Sequence, residues 1–140
     1  MISVIIGTHG IFSTEILKSA EMIFGKQENV GTVTFKQGEG VDNLVEKYNK
    51  LINELDCTDG VLFMVDLFGG SPFNAASIIA MKHDNMEIVA GVNLPMILET
   101  FGSRDFSNLS ELLAIAENSG KEAIRVLTKN LETDIEDEMA

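Results

Sequence analysis

The chain has 140 residues, enough for one domain with a real core and too few for two. Its formal net charge is −12, from 22 acidic and 10 basic residues, which excludes a nucleic-acid or anionic-membrane surface as the direct partner. A single cysteine, Cys57, excludes an internal disulfide and fits a reducing cytoplasm. No apolar run approaches the length of a membrane span, and nothing at the N-terminus resembles a signal peptide.

The chain opens on an apolar, β-branched run, Ile2 to Ile6, closed by Gly7, which predicts a strand buried on both faces. His9 follows at its carboxyl end. Ser13 or Thr14 can cap the first helix, with Glu15 in its first turn. Ile16, Leu17, Ala20, Ile23 and Phe24 form one face of that helix, and Gly25 stops it. Val30 to Phe35 predicts the second strand, and Gly38 and Gly40 flank a turn. Asp42 opens a second helix whose buried stripe is Leu44, Val45, Tyr48, Leu51, Ile52 and Leu55.

Val61 to Val65 predicts a third buried strand, ending in Asp66 and D-L-F-G-G-S-P-F-N-A. Ser71 and Pro72 read as cap and first helical residue of a third helix reaching about Lys82. Met86 to Val92 predicts a fourth strand, and Asn93 with Pro95 opens a short helical piece over Met96 to Thr100. After a loop, Gly102 to Asp105, a helix from about Asn108 to Asn118 is ended by Gly120. Ala123 to Thr128 reads as a last strand, partly alternating as an edge or exchanged strand would. Residues 131–140 form an acidic tail, expected to be disordered after a domain spanning 1–130.

Strands alternating with amphipathic helices predict an α/β fold: a doubly wound, mostly parallel five-stranded sheet of order 2-1-3-4-5. In that order the first and third strands are neighbours, and the crevice opens at their carboxyl ends. His9 and Asp66 then face one another. An aspartate that accepts a hydrogen bond from one imidazole nitrogen leaves the other nitrogen free to attack. Gly69, Gly70 and Ser71 add backbone N–H groups at a helix N-terminus, where a phosphoryl oxygen is favoured. Together these predict phosphoryl transfer through a phosphohistidine, with His9 and Asp66 catalytic and the three turn residues binding phosphate, and with no cofactor or metal required.

Each residue also has a plainer use. A histidine or aspartate at a strand end often caps a turn, and G-G-S-P suits a helix start by itself. What favours the chemical reading is convergence on two strand ends that this fold places side by side. His83 reads as a surface residue, Cys57 as packing, Met64, Met81 and Met96 as core, and Phe12, Phe68 and Phe73 as core or rim of the crevice. Two rival functions remain. One is a non-catalytic dimeric regulatory module sensing phosphorylation state; the other is a small hydrolase using Ser71 or Asp66, which lacks a base on the serine and a G-x-S-x-G turn.

The opening I-I-G-T-H-G and the segment D-L-F-G-G-S-P-F-N-A resemble the enzyme IIA component of the mannose-type sugar phosphotransferase system, over about the first 130 residues. The resemblance implies that His9 receives phosphate from the histidine-containing phosphocarrier protein and hands it to a IIB component on a separate chain, serving membrane IIC and IID components indirectly. It implies that Asp66 hydrogen-bonds the imidazole and that Ser71 lies on the active-site turn. It also implies a cytoplasmic homodimer whose last strand, antiparallel to the others, is exchanged between subunits.

Overall fold

A computed structural model describes residues 1–129, so the acidic stretch 131–140 lies outside the described residues. Nine elements follow one another: β1 (Ser3–His9), α1 (Phe12–Phe24), β2 (Val30–Phe35), α2 (Val41–Glu54), β3 (Val61–Val65), α3 (Ser71–Ala80), β4 (Met86–Ala90), α4 (Leu94–Ser103) and α5 (Leu109–Glu122). The strands form one sheet of order β2-β1-β3-β4, parallel at every pairing. Each pair of successive strands is joined by a helix, with β2 on one side of β1 and β3 and β4 on the other, so the expected order of the first four strands holds.

Alternation along β1 divides the core. Val4 and Ile6 face a layer made by Ile16 and Ala20 of α1, Ile97 and Phe101 of α4, and Leu112 and Ala116 of α5. Ile5 faces the opposite layer, where Leu44 and Tyr48 of α2 and Ala75, Ala76 and Ile79 of α3 are buried. Since β1 and β3 are covered on both sides, β3 is buried throughout and β1 is buried up to Thr8, without the in–out alternation of a half-exposed strand.

Three expectations need correction. First, β1 does not stop at Ile6, because Thr8 and His9 still find partners on β2, with His9 opposite Phe35. Second, α5 runs through Gly120 to Glu122. Gly120 is not a terminator but a point of close approach: a Cβ there would lie 2.7 Å from the Met96 terminal methyl, and its carbonyl accepts the Asn93 side-chain amide at 3.0 Å. Third, residues 124–128 form no fifth strand, so the sheet of the described residues has four strands. With α5 extended to Glu122, the two to six residues that usually connect a helix to a strand are no longer available. Ile124, Val126 and Leu127 stay largely exposed.

Smaller departures have local causes. The α1 terminus is capped not by Ser13 or Thr14 but by Thr8, whose hydroxyl accepts the Ser13 N–H at 2.6 Å, while the buried Ser13 hydroxyl donates to the Val33 carbonyl. α3 begins from Gly70, so Ser71 is its first residue and does not cap it, and it ends at Ala80. The loop expected at Gly102 to Asp105 starts later, because α4 continues to Ser103. Met81 is exposed, whereas Met64 and Met96 are buried.

Candidate active site

β1 and β3 are hydrogen-bonded neighbours with Gly7 opposite Val65, so the residues just beyond each pair share one end of the sheet. His9 and Asp66 leave from there. The Asp66 Oδ2 atom accepts the His9 backbone N–H at 3.0 Å and lies 2.9 Å from His9 Nδ1. One carboxylate oxygen therefore fixes both the main chain and the ring of the same residue. A carboxylate only accepts, so the proton of a neutral imidazole sits on Nδ1 and the lone pair is left on Nε2.

The rest of the surroundings define where Nε2 can be reached. The Phe35 ring stands edge-on to the imidazole, with centroids 5.6 Å apart. Gly70, the residue before α3, also lies close to the ring: a Cβ there would lie 3.0 Å from His9 Cε1 and 3.6 Å from Nε2. The His9 side chain is still 46% exposed and that of Asp66 only 19%, so the imidazole can be reached from solvent while the carboxylate beside it is sheltered. The second Asp66 oxygen, Oδ1, is buried and has no hydrogen-bond partner among the described residues.

The turn expected to bind an anion leads into α3. Ser71 and Phe73 sit in the first turn of α3, where backbone N–H groups lack helical partners and the helix dipole favours negative charge. Gly70 N–H, by contrast, donates to the Leu67 carbonyl, and the Gly69 carbonyl accepts the Asn74 side chain. The turn is thus braced internally, and Ser71 is the first residue of the helix that follows it. Around it, Ile11, Phe12, Leu67 and Phe68 are exposed, and the Phe68 and Phe73 rings lie 4.5 Å apart. A groove of about 660 Å³ opens beside Asp66 and Phe68 toward β4 and α5, and a cleft of about 450 Å³ lies on the Phe35 side of His9.

His83 is exposed, remote from the pair in sequence and past the end of α3, and Cys57 is half-buried against Ser3. Sequence reasoning placed Tyr48 only in the core stripe of α2. Its hydroxyl was the available signal, because a phenol on an apolar face needs a polar partner. That partner is the Pro72 carbonyl, at 2.9 Å. Burial, and secondarily the Asp66 charge, push the Tyr48 phenol well above its ordinary range, so it keeps its proton and donates. Glu39, at the rim of the smaller cleft, is held below the usual carboxylate range by its hydrogen bond from Lys47 and then by the Lys36 N–H.

Fold and site together define an open parallel α/β domain with an aspartate-oriented histidine at the carboxyl edge of its sheet. The model of the family described as "PTS system fructose IIA component" matches residues 3–117. The chain is 49% identical over 127 residues to the mannose-specific EIIAB component of Escherichia coli strain K12, a match covering 90% of this chain but only 39% of that protein. It is 39% identical to the fructose-specific EIIA component of Bacillus subtilis strain 168, covering 94% of this chain and 90% of the relative. Among solved structures, the mannose/sorbose-specific IIA subunit of Enterococcus faecalis matches with a TM-score of 0.83 at 28% identity, over 91% of this chain and 95% of that one. The chain belongs to the mannose-type IIA family of the sugar phosphotransferase system. No helix among the described residues is long and apolar enough to cross a membrane.

Proposed function

We propose that this protein is a cytoplasmic phosphocarrier that holds a phosphoryl group on Nε2 of His9 between two protein partners. The observation that carries the reading is the double grip of Asp66 Oδ2 on the His9 N–H and Nδ1. The donor is the histidine-containing phosphocarrier protein. The His9 Nε2 lone pair attacks phosphorus, the donor's phosphorus–nitrogen bond breaks, and its electron pair returns to the donor imidazole. The phosphorylated ring carries more positive charge, which the Asp66 carboxylate stabilises through Nδ1–H. Ser71, with the Gly69–Gly70 turn behind it, receives phosphoryl oxygens at the start of α3. A IIB component then attacks the same phosphorus, and His9 leaves as the neutral imidazole.

The sugar touches none of these atoms, in keeping with relatives named for mannose and for fructose. The exposed Ile11, Phe12, Leu67 and Phe68 give both partners an apolar surface around a polar centre. The exposed Ile124, Val126 and Leu127 support a homodimer in which this segment pairs with the sheet of a second subunit. Incubation with phosphoenolpyruvate and the general phosphotransfer proteins is expected to give an acid-labile, alkali-stable label that a IIB component discharges. A purified, folded protein that takes up no such label would refute the reading.

A further inference from the structure

Tyr48 spans the two halves of the site from beneath. It rises from α2, is completely buried, and meets Phe63 of β3 edge-on with ring centroids 5.2 Å apart. Its hydroxyl lies so close to the backbone of β1 that a Cβ at Gly7, two residues before His9, would overlap it. The same hydroxyl donates to the carbonyl of Pro72, the second residue of α3. A helical carbonyl at that position already serves the backbone four residues on, so the phenol occupies its second lone pair. One rigid side chain thereby connects the strand that carries the nucleophile to the helix start that faces it across Gly70. Filling the core would not require this hydroxyl, since phenylalanine has nearly the same shape.

We propose that Tyr48 is a positioning residue for phosphoryl transfer, its hydroxyl setting where the first turn of α3 stands relative to the His9 imidazole. The inference rests on the phosphocarrier reading of His9. Tyr48 touches neither partner and no reacting atom, so its contribution falls on the transfer step and not on docking. Without the bond to Pro72, the α3 start is free to shift by the few tenths of an ångström that separate a close from a slack grip on the phosphoryl oxygens.

Tyr48 is the only tyrosine, and there is no tryptophan, so the residue can be watched alone. In Tyr48→Phe, kcat for phosphorylation of His9 is expected to fall about five- to tenfold, the kinetic equivalent of one neutral hydrogen bond, with KM for the donor unchanged. In the wild-type chain labelled with 3-fluorotyrosine, phosphorylation is expected to produce a second ¹⁹F line that grows in proportion to phosphohistidine. A wild-type kcat in Tyr48→Phe, a loss confined to KM, or a single unmoved ¹⁹F line at full phosphorylation would each overturn the role. The ¹⁹F measurement decides the matter if the variant does not fold. Failure of the wild type to accept phosphate at all is a separate result, and it would overturn the phosphocarrier reading itself.

Discussion

At the residue scale the site depends on one oxygen atom doing two jobs. Asp66 Oδ2 holds the His9 backbone and orients its ring, so the imidazole has neither a free tautomer nor a free χ angle to settle. Asp66→Asn keeps the shape but offers a neutral acceptor, or turns an NH₂ toward the ring and loses the bond. A hydrogen bond to a charged group is worth about 1.5–3 kcal/mol, so transfer through His9 is expected to slow roughly 10- to 100-fold while the fold survives. Rapid-quench phosphorylation with circular dichroism as the fold control checks both halves; an unchanged rate would remove Asp66 from the chemistry. The pair itself was legible in the sequence, because two strand ends carried chemically loaded residues. The second bond of Oδ2, to a backbone N–H, had no sequence signal.

At the element scale, helix ends and close approaches were the parts the sequence left ambiguous. Gly120 has the residue type of a helix stop, and only the Met96 methyl against it shows that α5 continues so that it can pack on α4. Arg104 fell within what read as a loop. It is 2% exposed, stacked over Phe101, and donates to the carbonyls of Ile2, Glu28 and Asn29 and to the Gln27 side chain. It therefore ties the end of α4 to the start of β1 and to the α1–β2 connection. Nothing local in the sequence points to those acceptors. Arg104→Ala leaves several of them short of a donor and is expected to cost about 3 kcal/mol or more, measured by urea unfolding. Lysine should recover little, because one ammonium cannot copy the fork of the guanidinium. A loss below about 1 kcal/mol would mean that water replaces these bonds at little cost.

At the scale of the whole molecule, the parallel sheet and the order of its first four strands follow from apolar strands alternating with amphipathic helices. The misread fifth strand shows what such a pattern omits. Alternation in residues 123–128 reports a segment able to pair, and does not by itself make it a strand of this sheet. Global stability carries one pH signature of the site. The folded state raises the Tyr48 phenol above its ordinary value of 10.0, so its contribution is complete below that value and declines as pH rises through it toward the folded value. Urea midpoints at about pH 9 and pH 11 should therefore fall more for wild type than for Tyr48→Phe. Equal declines would show that Tyr48 is not what titrates.

The central claim is that the phosphoryl group resides on His9, and locating it is the most direct test. After phosphorylation by phosphoenolpyruvate and the general phosphotransfer proteins, fragmentation of the intact chain should place one phosphate on His9. His9→Ala, with its fold intact, should take up none. Phosphate on His83, or label persisting in His9→Ala, would contradict the account.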